Sequence, residues 1–138
     1  MKRAYILDTG PAFDFLFRRR GVNERVREVR RNGAKVGIGI PTLAEIIAGL
    51  EASTSRTESW EIAHRSLGRL VHWPFDSEAA YEYGRVFAEL KRIGRIIQQI
   101  DMQNAAIARI KRNCVLVTYD SDFTAVTGIT IENWSVDR

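Results

Sequence analysis

Cysteine is nearly missing: Cys114 is the only one in 138 residues. An intramolecular disulfide and a thiolate zinc cage are thereby excluded within the chain, and the composition suits a reducing compartment. The two histidines, His64 and His72, lack the spacing of a metal pair or an acid–base dyad, so both are read as structural. Three prolines and ten glycines are scattered, with no linker, repeat or low-complexity tract among them. No segment approaches the ~18 consecutive apolar residues of a membrane span. The short apolar opening stops at the acid Asp8, which argues against a secretory leader. The expected location is the cytoplasm, away from any membrane.

What the chain does contain is enough apolar material for a core. Hydrophobic residues make up 45% and charged residues 28%, near ordinary globular values, and the length suits one domain spanning residues 1–138. Twenty-one Lys and Arg against seventeen Asp and Glu leave a net charge of +4. That balance favours polyanions without the charge density of a DNA-coating protein.

Hydrophobic periodicity divides the chain into alternating elements. Residues Ala4–Leu7 read as a first strand, ended by the turn-formers Asp8, Thr9, Gly10 and Pro11. Phe13, Leu16 and Phe17 then recur at helical spacing, and 23–31 forms a second short helix. A strand over 35–40 stops at Pro41, and Thr42-Leu43-Ala44-Glu45 matches a capping box that predicts a helix from Thr42 to about Leu50. A helix over 58–70 feeds a short strand at 70–73, and another helix runs from Ser77 to near Gly94. Asp101 heads a further helix, followed by strands over 114–118 and 129–134. The alternation predicts an α/β protein whose central, twisted parallel sheet of four to five strands is flanked by helices, because parallel neighbours need crossover connections. In such sheets the working crevice lies beyond the carboxyl ends of the strands.

Four acids fall where that crevice is expected. Asp8 follows the first strand, Asp120 follows the 114–118 strand by two residues, Asp101 opens the helix before it, and Glu45 lies one turn into the helix after the second strand. Each has a local explanation: Asp8 can cap a helix, Glu45 can complete a capping box, Asp101 suits a helix dipole, and Asp120 and Asp122 suit a turn. Their joint placement is what points to chemistry. Clustered carboxylates raise one another's pKa unless a cation neutralises them, and an oxygen-only donor set suits Mg²⁺ or Mn²⁺ rather than Zn²⁺. Such ions activate water for attack on phosphorus, which makes phosphodiester hydrolysis the implied reaction.

Five segments make the chain recognisable: Tyr5-Ile6-Leu7-Asp8-Thr9, Thr42-Leu43-Ala44-Glu45-Ile46, Asp101-Met102-Gln103-Asn104-Ala105-Ala106-Ile107-Ala108, Leu116-Val117-Thr118-Tyr119-Asp120-Ser121-Asp122-Phe123 and the closing Gly128-Ile129-Thr130-Ile131-Glu132-Asn133-Trp134. In this order they resemble a PIN domain, and among PIN domains the VapC-type toxin ribonucleases of prokaryotic toxin–antitoxin pairs. The resemblance implies magnesium-dependent RNA cleavage, a homodimer, and neutralisation by a cognate VapB-like antitoxin. It implies Asp8 and Asp101 as main metal ligands, Glu45 as a further ligand or water-positioning acid, and Asp120 as the fourth acid. Thr9 and Thr118 would orient carboxylates, and Asp122 is an alternate to Asp120. Gln99 stands where many relatives carry another acid, and Asn104 where an aliphatic residue is usual.

Particular residues also support other readings. Gln99 and the basic early helices, with Arg18, Arg19, Arg20, Arg25, Arg27, Arg30 and Arg31, suit a catalytically idle scaffold that binds RNA or protein. Phe13, Phe15, Leu16 and Phe17 suit an antitoxin groove or simply the core. Cys114 is expected as a small buried residue, Trp60, Trp73 and Trp134 as packing residues, with Trp60 a candidate for a dimer interface. A haloacid-dehalogenase-type phosphatase would need a second Asp where Gly10 stands, and a receiver domain would need an adjacent acidic pair after the first strand.

Overall fold

The computed structural model describes residues 2–54 and 56–135, with the side chains of Arg56 and Thr57 left out. Five strands form one all-parallel sheet in the order β3-β2-β1-β4-β5. They are β1 (Ala4–Leu7), β2 (Lys35–Gly39), β3 (Val71–Trp73), β4 (Cys114–Val117) and β5 (Thr130–Glu132). Six α-helices are described with them: α1 (Thr9–Leu16), α2 (Val22–Arg31), α3 (Ile40–Ala52), α4 (Arg56–Leu67), α5 (Ser77–Arg92) and α6 (Gln99–Ile110). A 3₁₀ turn, Ser121–Ala125, lies between β4 and β5. The predicted class and strand number are both observed.

Both sheet faces are covered, so the strands read as short unbroken apolar runs and the period-2 alternation decides which helix layer each side chain meets. Tyr5 and Leu7 of β1 pack with Val36, Ile38, Val115 and Val117 against Leu16, Val26, Ile46 and Leu67. Ala4 and Ile6 face the other way, with Leu116, against Val86, Leu90, Met102 and Ile107. Ile6 and Leu7 are both fully buried, and each such side chain contributes about 1.5–3 kcal/mol of transfer free energy. Arg109 crosses the second layer: its guanidinium meets Glu82 at 2.5 Å and Glu89 at 2.8 Å and donates to the Thr127 carbonyl at 3.2 Å, joining α5, α6 and the approach to β5.

Element boundaries differ from the sequence reading in three informative places. Thr9, Gly10 and Pro11 do not form a free turn but the first turn of α1. Amides in a first helical turn have no intrahelical acceptor, so Pro11 loses nothing by lacking one. Likewise α3 starts at Ile40, with Pro41 in its first turn and the extended Gly39 before it, so Thr42 is not a helix cap and the capping box is not formed. Finally α6 starts at Gln99, which moves Asp101 from the helix head into the first turn. The strand at 35–40 is correspondingly one residue shorter, and the last strand spans Thr130–Glu132 alone.

Val71 pairs with Gly37 across β2 and β3, and a Cβ at Gly37 would collide with the Val71 backbone carbonyl. Gly37→Ala should therefore cost about 1–3 kcal/mol, the usual range for overpacking, read as a lower urea midpoint at unchanged m-value.

Candidate active site

β1 occupies the centre of the sheet, with β2 on one side and β4 on the other, so chain order reverses at the β1–β4 pair. Loops leaving the two strands diverge there and open a crevice at their carboxyl ends. Asp8 enters it directly after β1, its backbone amide still donating to the Val117 carbonyl at 2.8 Å. A hollow of about 440 Å³ opens at this point, lined by Asp8, Gly10, Pro11, Tyr119, Asp120 and Ser121.

Asp8 is the buried member of the acid group, 7% exposed. It precedes α1, yet its side chain makes no capping hydrogen bond. Thr118 donates its hydroxyl to Asp8 Oδ2 at 3.0 Å, and the Thr118 oxygen in turn accepts the Asp120 backbone amide at 3.0 Å. The other oxygen, Oδ1, is buried without a hydrogen-bond partner. Burial raises the pKa of Asp8 above the usual carboxylate range, against the Thr9 amide and the Thr118 and Asn104 side chains, which draw it down. The neighbouring charge of Asp120 adds to the rise.

Asp101 comes from α6 and is half-buried. Burial first, then the charges of Asp8, Asp120, Glu45 and Asp122, push its carboxyl up to about 7. Asp101 thus feels the charge of four other acids, which come from three further segments of the chain. Glu45 does not cap α3; its Oε1 accepts the Thr9 hydroxyl at 2.5 Å, tying α3 to the start of α1. Asp120 caps the 3₁₀ turn, its Oδ1 accepting the Asp122 amide at 2.8 Å, and both side chains are exposed. Gln99 is exposed at the first residue of α6.

Asn104, noted in the sequence only as unusual, proves central. It is fully buried, and its amide donates to the Thr42 hydroxyl at 2.7 Å, joining α6 to α3 beneath the acids. The same side chain stands close enough to lower the Asp8 pKa without closing a hydrogen bond on Oδ1. An Asn inside the apolar stripe Ala105-Ala106-Ile107 was itself the signal, since a buried amide requires a partner. Tyr119 and Asp14 were not singled out for the site; the Tyr119 hydroxyl donates to Asp14 Oδ2 at 2.6 Å at its edge.

The donor set is all oxygen, and the buried Asp8 Oδ1 has no hydrogen-bond partner from the protein. Among the described residues no group of three or more His, Cys, Asp or Glu is set to hold a metal ion outright. A sparse arrangement of this kind suits magnesium, which keeps several of its waters and is commonly held by one or two carboxylates. Cys114 offers no competing chemistry, because it is half-buried and burial pushes its thiol up to about 11. His72 is engaged with the Leu67 carbonyl at 3.0 Å, and His64 is exposed on α4.

Asp101 also carries a stability prediction. With its folded pKa near 7 and an unfolded value near 3.9, its charge opposes folding above pH 7, and the opposition fades as pH falls through that range. Metal-free Asp101→Asn should thus melt higher than the parent at pH 8, with the gain shrinking by pH 5; thermal unfolding in EDTA at both pH values checks this.

Known proteins share both the sequence pattern and the fold. The PIN domain family model matches residues 5–129. A tRNA(fMet)-specific endonuclease VapC of Salmonella typhimurium is 30% identical over 132 residues, covering 94% of this chain and 97% of that protein. Ribonuclease VapC2 of Haemophilus influenzae is 27% identical over 130 residues, covering 94% and 97%. Among solved structures, DNA-bound VapBC from Salmonella typhimurium superposes with a TM-score of 0.85 at 29% identity, covering 97% of this chain and 99% of the matched one. VapBC2 from Rickettsia felis, bound to a promoter DNA fragment, superposes with a TM-score of 0.88 at 24% identity over 96% and 99%, a likeness of fold. From the crevice acids outward to the length of the match, the chain belongs to the PIN domain family, among its VapC ribonucleases.

Proposed function

We propose that this ribonuclease is a magnesium-dependent endonuclease and the toxin of a VapBC-type pair, cutting RNA at the β1–β4 crevice. The observation that carries the reading is the buried Asp8, with one carboxylate oxygen unpartnered, coupled by charge to an Asp101 raised to about 7. Manganese would serve the same donor set. Asp8 and Asp101 would hold the cation, with Glu45 and Asp120 adding negative charge around it. Once bound, a divalent ion offsets phosphodiester charge and lowers the pKa of an attacking water. The protein's own part is positioning. Thr118 holds one oxygen of Asp8, so the other would be the one to meet the cation, and Thr9 fixes Glu45. Asn104 and Thr42 brace the helices that carry Asp101 and Glu45.

The proposed partners are RNA as substrate, a second copy of the chain, and a VapB-like antitoxin, as in the similar VapBC complexes. A hollow of about 700 Å³ at α1 and α4, with Leu16, Phe17 and Ile62 beside Arg18, Arg65 and Arg69, is the proposed antitoxin seat. Phe15 is not among its lining residues, although its ring lies against Arg69, whose guanidinium carbon is 5.8 Å from the ring centre. The cytoplasm is the proposed location; among the described residues no helix is long and apolar enough to cross a membrane.

Purified protein should cleave RNA in millimolar magnesium and stop in EDTA. Asp8→Asn and Asp101→Asn should each lose at least about 100-fold in kcat/KM while keeping the parent's circular dichroism. Cleavage that survives both EDTA and Asp8→Asn overturns the mechanism, and magnesium-independent RNA binding without any cleavage supports the idle-scaffold reading.

A further inference from the structure

An acidic crevice repels the polyanion it is proposed to cut, so the substrate needs cations fixed beside it. Of the seven early arginines, three on α2 are held by other protein groups. Arg25 pairs with Glu28 at 2.9 Å and Glu132 at 3.8 Å, Arg27 with Glu24 at 3.9 Å, and Arg30 donates to the Arg69 carbonyl. Arg20 differs in where it is held. Its Nε lies 3.6 Å from Asp14 Oδ2, the oxygen that accepts the Tyr119 hydroxyl at 2.6 Å, and its guanidinium carbon lies 5.7 Å from the centre of the Tyr119 ring.

That platform is built into the fold. Asp14 is on α1 and only 6% exposed, so its charge is placed by the helix and answered by Tyr119 and Arg20. Tyr119 lies between β4 and the Asp120 turn and lines the same hollow as Asp8 and Asp120. Gly10 lets the ring lie there: a Cβ at that position would stand 3.1 Å from Tyr119 Cδ2. The backbone also bends to deliver the arginine. Arg18 and Arg20 both adopt left-handed φ values, 55° and 56°, which non-glycine residues seldom keep without compensation elsewhere. The Arg20 side chain stays 59% exposed although it rests on Asp14 and the ring.

We infer that Arg20, seated on the Asp14–Tyr119 platform at the rim of the acidic hollow, is a phosphate-binding residue that takes an RNA backbone phosphate next to the one being cut. A guanidinium approached through Nε keeps terminal N–H groups for a phosphate, and its planar fork matches two phosphate oxygens. Tyr119 is a positioning residue: its ring and hydroxyl place Arg20 through Asp14. The proposal rests on the ribonuclease reading for its choice of ligand.

The test uses the full chain carrying Asp101→Asn, so that RNA is bound without turnover, and measures binding of labelled single-stranded RNA by fluorescence anisotropy across a salt series. Adding Arg20→Gln should weaken binding about 5- to 10-fold and reduce the salt slope by about one, as loss of one phosphate contact does. Arg20→Lys should recover part of the loss, and Tyr119→Phe should share several-fold of it. Arg31→Gln, an equal charge change on exposed α2 surface, should bind within about twofold of the parent, as surface changes away from a contact do. In the otherwise unaltered enzyme, Arg20→Gln should raise KM by a factor similar to the binding loss and leave kcat within about twofold, the mark of uniform binding. Unchanged affinity in Arg20→Gln, or an equal loss in Arg31→Gln, overturns the inference while leaving the nuclease reading intact. RNA binding that depends on Arg20 in a protein with no magnesium-dependent cleavage keeps Arg20 as a phosphate-binding residue and overturns the magnesium-dependent mechanism. Absence of RNA binding by the parent overturns both.

Discussion

Burial of one carboxylate at the end of the central strand is the constraint on which the rest of the structure turns. Asp8 is taken out of water by the sheet and α1, receives a hydrogen bond on one oxygen from Thr118, and is left with the other oxygen unanswered. Buried charge without full compensation is costly, and the cost is raised by Asp120 and transmitted to Asp101.

Stability is supplied away from that point. The two apolar layers, one under α1 to α4 and one under α5 and α6, hold β1 and β4 in register and so fix Asp8 beside Thr118. α6 serves both purposes, with Ala105, Ala106 and Ile107 in the core and Asp101, one turn earlier, within reach of the charges of Asp8 and Asp120. Its Asn104 joins Thr42 across the layer, so the helices that deliver Asp101 and Glu45 are braced by a buried polar contact. Arg109 at the far end of the same helix anchors it to α5 through Glu82 and Glu89.

Charge is also divided in space. Asp8 and Asp120 line the crevice, whereas on α2 Arg25 and Arg27 are engaged in ion pairs along their own helix or with Glu132. Tyr119 links the two regions: it lines the hollow beside Asp8 and, through Asp14, touches the segment that carries Arg20. Between α1 and α2 the backbone leaves the ordinary helical region at Arg18 and Arg20.

The alternation of apolar runs was enough to determine the α/β class, the strand number and the strand-end positions of the acids, because a parallel sheet buried on both faces leaves uninterrupted hydrophobic segments and gathers the residues after each strand at one edge. Family motifs likewise proposed Asp8, Glu45, Asp101 and Asp120 as a set. Local sequence misjudged what individual side chains do: Thr42-Leu43-Ala44-Glu45 has the letters of a capping box, but Pro41 starts the helix earlier, and Thr42 and Glu45 find partners on α6 and α1 instead. Which oxygen of Asp8 is left open, why Asn104 is buried, and how Tyr119 reaches Asp14 were decided by tertiary structure alone. Those facts depend on groups 105 to 110 residues apart, or 62 for Asn104 and Thr42, and no local pattern encodes a contact made only when the sheet closes.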